Sequence, residues 1–175
     1  MKRGVRPPLL FWVVAAAVLA GDLVTKRIVE LRLLPVPPVS VIGEWVQFRL
    51  VYNQGAAFGL DLGPYSRWIF MALAVIAVVL LFRLSRNSAV TDTLRHLACG
   101  LVAGGAAGNL VDRLRHANGV VDFIDVGVGS HRWPTFNLAD MGVSCGAILL
   151  AISLWVEDSR RRREELSRPA STPAP

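Results

Sequence analysis

The sequence predicts an α-helical membrane protein with four transmembrane helices and a small β-sheet on the outer face. Three observations predict it. First, four stretches carry no charge: Pro7–Gly21, Trp68–Phe82, Leu97–Val111 and Met141–Val156. Second, 53% of the 175 residues are hydrophobic and the mean hydropathy is +0.46, against about 45–50% apolar residues in ordinary soluble domains. Third, the cations cluster beside the uncharged stretches. A soluble four-helix bundle would show a polar stripe along each helix, and these stretches have none.

Each stretch is shorter than the roughly 20 residues that cross a bilayer core, so each must include its ends. The spans are expected at about 8–26, 66–83, 95–113 and 139–156, within one domain over 1–158. Lys2, Arg3 and Arg6 precede the first span. Arg83, Arg86 and Arg95 lie between the second and third, and Arg160 to Arg163 with Arg168 follow the fourth. These groups hold 11 of the 19 Lys and Arg residues and fall on one side if the spans alternate. The positive-inside rule then makes both termini and the 83–96 loop cytoplasmic. Segments 27–66 and 113–139 face outward. The net charge of +6 thus reads as topology, and nothing else in the chain supports a nucleic-acid partner.

Taken in order, span one follows a basic start and so resembles a signal peptide. Leu19-Ala20-Gly21 even looks like the start of a lipoprotein cleavage site. The next residue is Asp22 rather than Cys, so lipidation there is excluded, and the segment reads as a retained first span. In the outer segment, Val46, Phe48, Leu50 and Tyr52 alternate along one face, a half-buried strand signal. Pro35, Pro37 and Pro38 before it disfavour helix. Gly55, Gly59 and Gly63 after it mark turns or bulges. Span two is bulky and featureless, as scaffold would be. Span three carries Gly100, Gly104 and Gly108 at four-residue spacing, which lets helix backbones approach closely. Cys99 and Cys145 lie within apolar stretches and read as small buried hydrophobes. Span four leads into a basic cytoplasmic tail, 159–175. Its end, Pro169–Pro175, has the composition of a disordered segment.

Five aspartates gather at the outer face: Asp22, Asp112, Asp122, Asp125 and Asp140. Ionisable groups at membrane depth are costly and mark function. Asp22 has Lys26 four positions on, a favourable helical pair. Asp112 is followed by Arg113 and Arg115. Both read as structural polar groups. Asp122, Asp125 and Asp140 have no Lys or Arg within four residues. Two such carboxylates close together cannot both ionise easily. One then activates water as a base while the other protonates a carbonyl oxygen. Asn53, Asn109 and Asn137 fall on the same side, and Asn137 stands three residues before Asp140. The three histidines are scattered and no HExxH occurs, so a zinc site is not expected. No G-x-S-x-G nucleophile motif and no Walker loop is present.

Five blocks carry a resemblance. They are Asp22-Leu23-Val24-Thr25-Lys26, Asn53-Gln54-Gly55-Ala56-Ala57-Phe58-Gly59, the stretch from Gly104 to Arg113, Val120-Val121-Asp122-Phe123-Ile124-Asp125, and Phe136-Asn137-Leu138-Ala139-Asp140. In this order they resemble the signature blocks of lipoprotein signal peptidase (signal peptidase II), over about residues 9–157. The resemblance implies a four-span aspartyl peptidase of the bacterial inner membrane. Such enzymes remove the signal peptide of a prolipoprotein just before a cysteine carrying diacylglycerol. It implies Asp122 and Asp140 as the catalytic dyad, with Asn53, Asn109, Arg113 and Asn137 lining or supporting the site. Asp22, Lys26 and Asp112 become polar supports. It further implies an outer cradle of strands, a periplasmic loop or short helix over the site, and sensitivity to the cyclic peptide globomycin. Gly105 and Gly108 are expected to leave room there for an extended peptide. No metal or organic cofactor is expected, the partners are lipidated precursors and membrane phospholipid, and a monomer suffices. Two other classes stay open. An ion or solute transporter subunit would use Asp22, Asn109 and Asp112 as a relay. A scaffold or lipid-binding protein would explain the small-residue packing but not the unpaired aspartates.

Overall fold

The computed structural model describes residues 9–33, 37–55 and 63–167. The elements run α1 (Leu9–Leu33), β1 (Val39–Ile42), β2 (Val46–Asn53), α2 (Ser66–Asn87), α3 (Thr93–Arg115), β3 (Val120–Val128), β4 (His131–Arg132) and α4 (Leu138–Ser167), with a 3-10 turn at Gly63–Tyr65. Most of the expected site-covering loop, and the end of the basic tail, lie outside the described residues.

Four helices are present, as predicted. Among the described residues, three are long and apolar enough to cross a membrane: Leu9–Leu33, Gly63–Asn87 and Leu138–Ser167. α3, the expected third span, is not among them. The reason is its place in the bundle. It packs against α1, α2 and α4, and a helix enclosed by other helices needs no apolar surface toward lipid.

Small residues make that enclosure possible. A Cβ on Gly100 would stand 2.9 Å from the Phe11 carbonyl oxygen, and one on Gly104 would stand 2.6 Å from that of Ala15. These two glycines let α1 approach α3. Gly105 does the same for α4, since a Cβ there would collide with the Ala139 carbonyl. Without lipid-driven hydrophobic pressure between helices, such backbone proximity is what holds spans together. Phe11, Leu81, Cys99 and Ala103 fill the middle of the bundle.

Polar residues collect at the two ends. At the end opposite the sheet, the Arg95 guanidinium lies between Asp92 at 3.2 Å and Glu157 at 2.6 Å. The His96 ring is fully buried, between Ser85 Oγ and the Ala89 carbonyl, each at 2.9 Å. Past the bilayer-length part, α4 continues as helix to Ser167. The pairs Arg161–Glu157 and Arg162–Asp158 have the four-residue spacing that supports an exposed helix.

The strands form one antiparallel sheet in the order β1-β2-β3-β4. Its register corrects the simple alternation expected for β2. Phe48 pairs with Ile124, but the next pairs are Val51 with Asp122 and Asn53 with Val120. One extra residue therefore bulges from β2 between Phe48 and Val51. A bulge reverses which side chains face which way beyond it. Leu50 and Tyr52 leave the Val46–Phe48 face, and Val51 and Asn53 join it. Cys145 is a second correction. Gly142, Gly146 and Ser153 form the buried face of α4, so Cys145 is exposed while Cys99 is buried.

Substituting Gly104→Val is expected to force α1 from α3 and destabilise the protein by about 1–3 kcal/mol, the usual cost of overpacking. Thermal unfolding in detergent measures this. An unchanged midpoint would mean that the helices separate without cost.

Candidate active site

Asp122 and Asp140 reach one cavity by different routes. Asp122 belongs to β3, on the face that the β2 bulge gives to Asn53. The Asn53 amide accordingly donates to Asp122 Oδ2 at 3.0 Å. The turn before β3 needs Gly119, whose φ is +104° and whose missing Cβ leaves room for the Asn53 carbonyl. Asp140 lies in the first turn of α4. Residues 133–136 return along β3, with the Phe136 N–H donating to the Ile124 carbonyl at 3.0 Å and the Ile124 N–H to that of Phe136 at 2.8 Å. This return carries the start of α4 to the sheet.

Asn137 joins the two aspartates. It precedes α4 and forms a reciprocal cap with it. The Asp140 N–H donates to Asn137 Oδ1 at 2.9 Å, and the Asn137 N–H donates to Asp140 Oδ2 at 3.2 Å. That exchange satisfies two amides a helix start would otherwise leave unpaired. The Asn137 side-chain amide then donates to Asp122 Oδ1 at 2.7 Å. It also lies 3.2 Å from Asn109 Oδ1. Asn109 in turn donates to Asp140 Oδ1 at 2.8 Å. Asn137, Asn109 and Asp140 thus form a closed ring of contacts, and Asp122 is joined to it through Asn137.

Behind the ring lies a second polar group. Lys26 Nζ stands 2.7 Å from Asp22, 2.8 Å from Asp112 and 3.0 Å from Asn109 Oδ1. Asp22 was expected to pair with Lys26, and it does. Asp112, read as a structural group followed by Arg113 and Arg115, meets Lys26, because α1 and α3 pack face to face. Arg113 turns away, its guanidinium donating to the Gly55 carbonyl at 2.8 Å and lying over the Phe70 ring. Its Nε is buried with no hydrogen-bond partner among the described residues.

Two sequence expectations need correction here. Asp125 has no cation nearby in sequence, yet it is not free. It lies on the opposite face of β3 from Asp122, 2.8 Å from Arg132 and 3.6 Å from Arg49. Gly105 and Gly108 were expected to leave room for a peptide. Their missing Cβ atoms point instead at α4 and at the Asp22 carboxylate, so they support the site by close packing and do not border the cavity. Sequence reasoning did not find Arg67, whose Nε donates to the Arg113 carbonyl at 2.7 Å and caps α3. Nothing in its local sequence announces that contact.

The cavity measures about 550 Å³, within the range of ligand sites. Asn53, Asn109, Arg113, Asp122 and Asp140 line one part, and Trp133, Phe136, Met141, Val143 and Cys145 another. It therefore has a polar end and an apolar flank. Burial pushes the Asp122 carboxyl up to about 7, and the nearby Asp140 adds to this, while the Asn53 and Asn137 amides and Lys26 oppose it. The folded protein thus holds a proton on Asp122 between roughly pH 4 and 7 that the unfolded chain has lost. Stability from this group is complete below about pH 4 and is lost as pH rises through about 7.

Comparisons with known proteins identify the family. The pattern of the signal peptidase (SPase) II family matches residues 14–156. The chain is 45% identical over 153 residues to the lipoprotein signal peptidase of Rhodococcus jostii, covering 82% of this chain and 71% of that one. It is 42% identical over 168 residues to that of Xanthomonas campestris pv. campestris, covering 93% and 99%. A solved bacterial membrane enzyme superposes with a TM-score of 0.77 at 27% identity, over 93% of each chain.

In the pH-dependent balance, Asp122→Asn removes the titrating group and is expected to raise the unfolding midpoint relative to the parent most at pH 8. The difference should shrink toward pH 4. Any fixed effect of the amide cancels in that comparison, so a difference independent of pH would contradict the assigned burial cost. With its helices, its cavity and its relatives described, this chain belongs to the signal peptidase II family and is a multi-pass membrane peptidase.

Proposed function

We propose that the protein removes the signal peptide of diacylglyceryl-modified bacterial prolipoproteins, cutting N-terminal to the lipidated cysteine. Asp122 and Asp140 act as the catalytic dyad at the outer face of the inner membrane, with both termini cytoplasmic. The observation that carries the reading is the Asn137 link, which sets two carboxyl groups from distant segments against one cavity with an apolar flank. A lipidated precursor is confined to the bilayer, so its scissile bond stays near the depth of the dyad. The apolar flank suits such a substrate.

The chemistry balances without a cofactor. Asp140, whose oxygens accept N–H bonds from Asn109 and Asn137, takes a proton from water as the water oxygen attacks the carbonyl carbon. Asp122 gives its proton to the carbonyl oxygen. Asp140 then protonates the leaving nitrogen, the C–N bond breaks, and Asp122 recovers a proton from the tetrahedral diol. This order assigns the acid role to the carboxyl that burial holds at about 7.

A gel-shift assay with a diacylated precursor, run with and without globomycin, tests the reading. Asp122→Asn and Asp140→Asn are each expected to lower turnover by about 10²-fold or more, the usual scale for a lost general acid or base. Asp125→Asn should retain most activity, because Arg132 and Arg49 can return to solvent. Turnover near the parent level in either dyad variant would overturn the assignment. The rate of the parent enzyme should fall as pH rises through about 7, and a flat profile from pH 6 to 8 would remove Asp122 as the acid.

A further inference from the structure

Asp22 and Asp112 each hold one particular backbone amide. The Ala139 N–H donates to Asp22 Oδ1 at 2.9 Å, and the Val121 N–H donates to Asp112 Oδ2 at 3.1 Å. Residue 139 immediately precedes Asp140, and residue 121 immediately precedes Asp122. A carboxylate therefore sits behind each dyad member, holding the N–H of the residue before it. Lys26 joins these two carboxylates, and all three side chains are buried. Lys26 also fixes an amide. Asn109 Oδ1 lies 3.0 Å from Lys26 Nζ, which obliges the NH₂ side of Asn109 to face Asp140.

We propose that Lys26, Asp22 and Asp112 form one positioning unit, which sets the orientation and the charge of the dyad without touching substrate. The inference rests on the dyad reading above. It goes further, because mere structural supports would not move the protonation of Asp122. The charged groups acting on Asp122 are Asp140 from α4, Lys26 from α1 and Arg113 from α3, and Asp22 and Asp112 stand behind them, both on Lys26. Asp125 lies on the other face of the strand, held by Arg132 and Arg49.

Substitutions that change charge while keeping hydrogen-bonding atoms separate the two roles. Asp112→Asn keeps an oxygen for the Val121 N–H and removes a negative charge, so Asp122 should lose its proton more readily. The fall in kcat/KM with rising pH should move to lower pH, by about one pH unit for a unit charge at this range. Lys26→Gln removes a positive charge and should move the fall to higher pH by a similar amount. The double variant should return it toward the parent position.

Lys26→Gln leaves two carboxylates buried without their cation and is expected to lower the unfolding midpoint. Asp112→Asn and the double variant therefore keep the test decisive if that protein does not fold. Opposite shifts, cancelling in the double variant, support the unit. Shifts of the same sign, or none, overturn it. If the parent enzyme itself shows no fall near pH 7 and Asp122→Asn is active, the dyad reading fails instead, so the two failures are distinguishable.

Discussion

The close approach of α3 to α1 and α4 is the constraint on which the rest of the structure depends. Lys26 can reach Asp112 because α1 lies against α3, and α1 lies there because Gly100 and Gly104 have no side chains. Gly108 takes this furthest. A Cβ at that position would collide with the Asp22 carboxylate. The same glycine therefore leaves space for the polar group behind the dyad. Any larger residue would separate Asp22 from Ala139 and loosen the first turn of α4. Helix packing and site geometry are in this sense a single property of α3.

That packing also explains how buried charge is tolerated. An isolated ion in an apolar interior is prohibitively unfavourable, and a buried pair gains little unless further hydrogen bonds satisfy it. Here each carboxylate behind the dyad has both the Lys26 ammonium and a backbone N–H. The amides so used belong to a helix start and a strand start, where intrasegment partners are lacking or incomplete. At the opposite end Arg95, Asp92 and Glu157 satisfy one another in the same way. Between the two ends, Phe11, Leu81, Cys99 and Ala103 close the bundle with apolar contacts. An ion relay would need polar groups across that middle, and among the described residues the core there has none.

What could be read from sequence divides along the range of the interactions. The helices were legible because charge-free stretches and flanking cations are local properties. The strand at residues 46–53 was legible from its apolar residues, but its bulge was not, since a bulge is defined by the partner strand. The faces of Leu50 and Tyr52 were consequently misassigned by simple alternation. Asp125 looked unpaired because Arg49 and Arg132 meet it only once the sheet forms. The Lys26 contact of Asp112 was not legible because it crosses between helices. Asn137 was placed near Asp140 by its spacing, yet its link to Asp122 needed the return of residues 133–136 along β3. Cys145 was read as buried because hydropathy reports membrane depth and not which side of a helix faces its neighbours.

The corrected alternation has a chemical consequence. With strict alternation, Asn53 would face away from Asp122, and the Asp122 carboxyl would lose the amide that meets Oδ2. Burial would then act on it with less opposition, since the Asn53 and Asn137 amides both favour the ionised form. One inserted residue in β2 therefore sets where the Asp122 equilibrium lies. Too little amide support would bind the Asp122 proton more tightly and make it a weaker donor to the carbonyl oxygen. Too much would hold it ionised and remove the acid. The protonation balance at the dyad is thus set partly by backbone register, several residues from either aspartate's own local sequence.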